Sequence, residues 1–125
     1  MDAVIYLLDS VILIDHFNGI EAATTFLREH RSEAAISAIT RAEVLTGFDE
    51  SQRKLPARLL DAFACLPVDS TIADLAARLR REHHWKLPDA LQSAVAQHHG
   101  LKLVTRNPKD FPVDRFAFVV TPYLL

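Results

Sequence analysis

Four acidic residues stand where the chain passes from apolar runs into helices or turns: Asp9, Glu43, Asp89 and Asp110. Asp9 ends the run Val4-Ile5-Tyr6-Leu7-Leu8. Glu43 closes Thr40-Arg41-Ala42-Glu43, Asp89 follows Leu87-Pro88, and Asp110 lies in Thr105-Arg106-Asn107-Pro108-Lys109-Asp110-Phe111. Each has an ordinary structural use. Asp9 can cap the helix begun by Val11-Ile12-Leu13-Ile14, and Glu43 can complete a capping box with Thr40. Asp89 can favour a helix dipole and Asp110 can form a turn. Gathered at one sheet edge, however, several carboxylates repel one another unless a cation sits among them. Hard oxygen ligands without His or Cys select Mg²⁺ or Mn²⁺, so the chemistry in view is that of a hard divalent ion.

The elements that must position these acids follow from hydrophobic pattern. The run Val4–Leu8 is continuous and apolar, as in a strand buried on both faces of a parallel sheet. Asp9 then stands at the carboxyl edge of that strand, where open α/β sheets place their ligands. Asn18-Gly19 is a turn, and residues 20–30 form a helix with Ile20, Ala23, Phe26 and Leu27 on one stripe. Residues 34–39 read as a second buried strand, with Thr40 opening the next helix and Glu43 in its first turn. Residues 55–64 are helical, with Leu55, Leu59, Leu60 and Phe63 on one face. Residues 65–68 make a short strand whose Pro67 suits only an edge.

Asp69-Ser70-Thr71 supplies caps for a helix with the stripe Ile72, Leu75, Ala76 and Leu79, ending near His83. Pro88 opens another helix, which Gly100 stops. Residues 101–104 and 116–120 are the last two strands, separated by a loop that holds Asp110. Strands alternating with helices imply crossovers and a mainly parallel sheet. Asp9, Glu43 and Asp110 follow strands and share an edge. No strand immediately precedes Asp89, so topology leaves its edge open.

Composition sets the outer limits. The chain has 125 residues, half of them apolar, about a quarter charged and three glycines, which describes one globular domain spanning 1–125. No apolar run approaches the roughly 20 residues of a membrane span, and Asp2 with no basic region before the first run argues against a signal peptide. One cysteine, Cys65, forms no internal disulfide and suits a reducing cytoplasm; beside Ala64 and Leu66 it reads as core filler. A net charge of −2 gives no bulk attraction to nucleic acid. Arg78, Arg80, Arg81 and Lys86 nevertheless face only Glu82, and Arg53, Lys54 and Arg58 form a second basic cluster. Either cluster taken alone reads as a solvated helix face.

Leu7-Leu8-Asp9-Ser10, Ile39-Thr40-Arg41-Ala42-Glu43, Leu87-Pro88-Asp89-Ala90 and Leu103-Val104-Thr105-Arg106-Asn107-Pro108-Lys109-Asp110-Phe111 resemble, in order and spacing, the four signature segments of PIN domains. More narrowly they resemble VapC-type ribonuclease toxins of bacterial toxin–antitoxin pairs, over nearly the whole chain from about Val4 to Val120. The resemblance implies a three-layer α/β/α fold around a five-stranded parallel sheet. It further implies that Asp9, Glu43, Asp89 and Asp110 bind Mg²⁺ or Mn²⁺, which settles where Asp89 points. Ser10, Thr105 and Asn107 match positions that hydrogen-bond the acids or the scissile phosphate, with Ser10 where Thr is more usual. The implied reaction is RNA phosphodiester hydrolysis to a 5′-phosphate and a 3′-hydroxyl. The implied assembly is a homodimer inhibited by a VapB-type antitoxin that inserts an Arg among the acids. Little matches between Phe48 and Cys65.

Other residues weigh less. Arg106 and Lys109 flank the acidic loop and can hold substrate phosphates, or can be plain loop charge. His83-His84 and His98-His99 are sequence neighbours that leave a helix in different directions, which makes poor paired metal ligands. Trp85 can stack a base, although packing at a helix junction suits it better. A phosphoacceptor receiver domain is the rival from another class, and it needs an acid ending the third strand; the only candidate is Val68-Asp69 beside Pro67. A PIN-like scaffold that merely binds a partner would lack one or more of the acids, and all four are present.

Overall fold

The computed structural model describes residues 3–106 and 116–125. Among these are five strands, β1 Tyr6–Leu8, β2 Ala34–Ser37, β3 Ala64–Leu66, β4 Lys102–Val104 and β5 Val119–Val120. The six α-helices are α1 Ser10–Phe17, α2 Glu21–His30, α3 Ala38–Thr46, α4 Lys54–Leu60, α5 Ser70–His83 and α6 Leu87–His98. The strands pair in the order β3-β2-β1-β4-β5, and every pairing is parallel. The chain thus starts at the centre of the sheet, builds outward through β2 and β3, then returns to the other side of β1.

Alternation along the strands divides the core into two layers. Leu7 and Leu103 point to one face and are covered by Ile72, Ala76 and Leu79 of α5 with Ala90, Ala94 and Val95 of α6. Leu8, Ile36 and Val104 point to the other, against Ile12 and Leu13 of α1, Leu27 of α2, Val44 of α3 and Leu60 of α4. Leu7, Leu8, Ile12, Leu13, Ile36, Leu60 and Leu103 have no solvent exposure at all. Replacing one of them with alanine would cost about 2–5 kcal/mol.

Several elements differ from the sequence expectation. Val4 and Ile5 are exposed, so the apolar run begins before the sheet does. The second strand stops at Ser37, because the Ser37 hydroxyl accepts the Thr40 N–H at 3.2 Å and caps α3. Ala38 and Ile39 are therefore helical and Thr40 is not the cap. The fourth helix ends at Leu60; Phe63 is buried from the following turn, whereas Leu55 projects into solvent. Pro67 falls just past β3, which is indeed an edge strand, and there Cys65 is exposed, not core. The last strand is only Val119–Val120, with Phe116 packed edge-on against Trp85.

Candidate active site

Asp9 ends the central strand, and its own N–H continues the β1–β4 ladder by donating to the Val104 carbonyl at 2.9 Å. One carboxylate oxygen, Oδ1, accepts the Ser10 N–H at 2.8 Å and, more distantly, Gln92 Nε2 at 3.4 Å. The other, Oδ2, accepts the Thr105 hydroxyl at 2.8 Å. An N-cap side chain ordinarily takes the N–H of the second or third helical residue, but Asp9 takes only that of the first. Capping therefore explains little of its placement. Burial raises the Asp9 pKa, and the bonds from Thr105, Ser10 and Gln92 oppose that rise.

Glu43 sits in the second turn of α3, since the helix begins at Ala38. This rules out the capping-box reading, which needs Glu43 at the third helical position behind a Thr40 cap. Burial raises the Glu43 pKa; a hydrogen bond with the Ser10 side chain lowers it, and the Asp9 charge raises it again. Ser10, itself buried, thus lies between two acids. Asp89 occupies the first turn of α6, which starts at Leu87, one residue before Pro88. Asp9, Glu43 and Asp89 line one pocket of ≈ 380 Å³, together with Ser10, Gln92 and Arg106. The edge that topology left open for Asp89 is therefore the same edge as that of Asp9. Asp110, Asn107 and Lys109 lie outside the described residues.

Behind the pocket is a buried polar network that sequence reasoning missed. Ser37 Oγ donates to Gln92 Oε1 at 2.7 Å, Gln92 Nε2 donates to Thr40 Oγ1 at 2.6 Å, and Thr40 Oγ1 donates to the Leu8 carbonyl at 3.0 Å. Ser37, Thr40, Gln92 and Thr105 are each at most 2% exposed. Each of these donors finds an acceptor, a condition under which buried polar groups stabilise and orient. The network joins the ends of β1 and β2 to α3 and α6, the elements that carry Asp9, Glu43 and Asp89. One signal was available: Gln92 lies three residues after Asp89, on the same helical face.

Arg106 lines the pocket but is also held from behind. Its Nε and Nη2 both donate to the Asp15 carboxylate, the latter at 2.8 Å, and the Tyr123 hydroxyl donates to Asp15 Oδ2 at 2.8 Å. Asp15 is buried, and the Arg106 bonds hold its pKa below the usual carboxylate value, while burial beside Asp15 pushes the Tyr123 phenol up. A bidentate pair fixes the plane of the guanidinium, and three of its five N–H donors remain beyond those two bonds.

The remaining candidates sit elsewhere. Asp69 caps α5 by accepting the Ile72 N–H at 3.0 Å, so it does not serve as a third-strand phosphoacceptor in this pocket. His83 stacks on Trp85 with ring centroids 4.3 Å apart, and Trp85 is buried at the α5–α6 junction. His84, His98 and His99 are exposed.

A family profile described as PIN domain matches residues 6–117. The chain belongs to the PIN domain family. This PIN domain is 36% identical over 114 residues to ribonuclease VapC10 of Mycobacterium tuberculosis, covering 86% of each chain. It is 31% identical over 125 residues to ribonuclease VapC19 of the same organism, covering 94% of this chain and 98% of the relative. Among solved structures it resembles a chain of a toxin–antitoxin complex from Klebsiella pneumoniae, with a TM-score of 0.87 and 40% identity over 96% of this chain and 99% of the other.

The donors in the pocket of this PIN domain suit a hard cation, being carboxylates without His or Cys. Among the described residues no three His, Cys, Asp or Glu side chains are grouped to hold one metal ion. Mg²⁺ characteristically keeps several waters and binds through one or two carboxylates. Asp9, Glu43 and Asp89 are thus the described residues that would hold such an ion, and it would supply positive charge to the pocket.

Proposed function

We propose that this chain, as one domain over residues 1–125, is a metal-dependent endoribonuclease and the toxin of a toxin–antitoxin pair. The observation that carries the reading is the meeting of Asp9, Glu43 and Asp89, from a strand end and two helices, in one pocket whose central carboxylate is hydrogen-bonded in place. The relatives named ribonuclease VapC10 and VapC19 support RNA as the substrate class, and the toxin–antitoxin complex supports the biological role.

In this reading Asp9, Glu43, Asp89 and Asp110 hold Mg²⁺ or Mn²⁺. When bound, the ion supplies positive charge to the phosphate and a water of lowered pKa. Thr105 and Ser10 fix the rotamers of the acids, so the oxygens need not reorganise when substrate arrives. Arg106, its plane set by Asp15, offers its remaining donors to the scissile phosphate, as does Asn107. The products are a 5′-phosphate and a 3′-hydroxyl.

The same pocket attracts an Arg from a VapB-type antitoxin, because a guanidinium engages carboxylates bidentately. The protein works in the cytoplasm as a homodimer. No described helix is long and apolar enough to cross a membrane. Purified protein should cleave a structured RNA with Mg²⁺ or Mn²⁺ and stop with EDTA, and Asp9→Asn should slow cleavage by orders of magnitude with the fold intact. Equal cleavage by the wild type and Asp9→Asn would sink the assignment.

A further inference from the structure

The end of α5 and the start of α6 enclose a second concavity of ≈ 850 Å³, lined by Ala77, Arg80, Arg81, His84, Trp85 and Leu87. Ala77, Arg80 and Arg81 follow the i, i+3, i+4 spacing of one face of α5, and His84 lies just past the end of that helix. Leu87 forms part of the wall, and the next two residues, Pro88 and Asp89, line the acidic pocket. The two concavities therefore each draw on the first turn of α6, through consecutive residues.

Positive charge is concentrated here. Arg80 and Arg81 are exposed, and among the described residues neither is in an ion pair, whereas Arg41 pairs with Asp61 and Arg106 with Asp15. Over residues 78–86 Arg78 and Lys86 add further exposed positive charge, and Glu82 is the one acid in that stretch. A polyanion approaching three carboxylates on a chain of net charge −2 gains nothing from bulk attraction. Its affinity must come from cations fixed beside the acids.

We propose that Arg80 and Arg81 form a phosphate-binding subsite that holds the RNA backbone next to the cleavage point. This rests on the ribonuclease reading and extends it. Trp85 is too buried to receive a base on its ring, so the subsite grips phosphates and is indifferent to sequence.

The test measures binding of a short fluorescein-labelled single-stranded RNA by anisotropy, in EDTA so that no cleavage occurs, from roughly 50 to 200 mM salt. The full-length wild type, Arg80→Ala/Arg81→Ala and a control, Lys54→Ala/Arg58→Ala, are compared after circular dichroism shows each to be folded. The control removes the same charge from exposed positions on α4. The expected result is a log–log salt slope shallower by about 1.4 for the arginine variant, at about 0.7 for each single-strand phosphate that is no longer neutralised. Its affinity should fall by the same factor for unrelated RNA sequences, with the control unchanged.

An unchanged slope in the arginine variant overturns the subsite, and so does an equal loss in the control, which would mean bulk charge. Retained RNA binding with abolished antitoxin binding also overturns it, by making the groove a protein-docking face. Cleavage by wild-type protein in Mg²⁺, scored separately, tells failure of the subsite from failure of the nuclease reading.

Discussion

Replacing Gln92 with leucine removes the amide at the centre of the buried network while keeping its volume. The Ser37 hydroxyl loses its 2.7 Å acceptor, and Thr40 Oγ1 and Asp9 Oδ1 each lose a donor. Thr40 still donates to the Leu8 carbonyl, and Asp9 keeps the Ser10 N–H and the Thr105 hydroxyl. The principal penalty is therefore one orphaned buried O–H, worth about 1–3 kcal/mol. For a domain of this size that lowers Tm by roughly 4–11 °C. Adding Ser37→Ala to Gln92→Leu removes the orphan, so the double variant should be less destabilised than the sum of the singles by about 1 kcal/mol. Ser37→Ala alone also loses the α3 cap, at about 1 kcal/mol. Removing Gln92 also frees one side of Asp9, so Mg²⁺ affinity or cleavage should fall by about 10–100-fold, the usual cost of removing a group that orients a metal ligand. Urea denaturation of the four proteins with Mg²⁺ titrations decides the matter. Strict additivity, or Gln92→Leu with the Mg²⁺ response of wild type, would refute the network as a support for Asp9.

Glu43→Gln relieves repulsion from Asp9 in metal-free protein, so its stability should be unchanged or higher by ~1 kcal/mol. Because the folded pKa of Glu43 is raised, that advantage should appear only as the pH climbs above the ordinary carboxylate range and vanish below it. The variant's Tm should also respond less to Mg²⁺ in thermal melts, and its cleavage should drop sharply. A cognate antitoxin should inhibit cleavage and lose potency when its inserted Arg becomes Ala; full inhibition by that variant at equal concentration would place the block elsewhere. Asp15→Asn should cost roughly 2 kcal/mol at neutral pH by weakening charge-assisted bonds to Arg106. Since the pKa of Asp15 is lowered in the fold, its contribution is present above the ordinary Asp value and lost as acid protonates it. The wild-type and Asp15→Asn stabilities should thus converge below about pH 4 in acid titrations followed by circular dichroism.

The order of strands and helices was legible because parallel strands read as short apolar runs bounded by turn and cap residues. Asp9 and Asp89 were legible as acids at such boundaries. The two errors around α3 share one cause: Ser37 and Thr40 are both good caps three residues apart, and local pattern cannot say which one the fold uses. Tertiary structure decides, because Thr40 is drawn away to the Leu8 carbonyl and Gln92. Cys65 misled because Ala64 and Leu66 flank it, yet β3 is an edge strand and edge burial is not written in neighbours. The Ser37–Gln92–Thr40 chain was illegible for a plain reason: its members are 55 and 52 residues apart in sequence. The Asp15–Arg106–Tyr123 cluster, equally dispersed, was hidden in the same way.

The central position of β1 has a kinetic consequence. β1 can pair with β2 after closing a modest loop, but Asp9 meets Thr105 only across 96 residues. Loop closure over such a span is entropically slow to be rewarded, and non-local parallel pairings form late. A chain that has assembled β1, β2 and β3 would own three of the five strands and an Asp9 with one carboxylate oxygen untethered. Docking of β4 supplies that tether, and in the same event α6 brings up Asp89 and Gln92. Maturation of the pocket is thus coupled to completion of the sheet, and partly folded species carry the acids without the geometry.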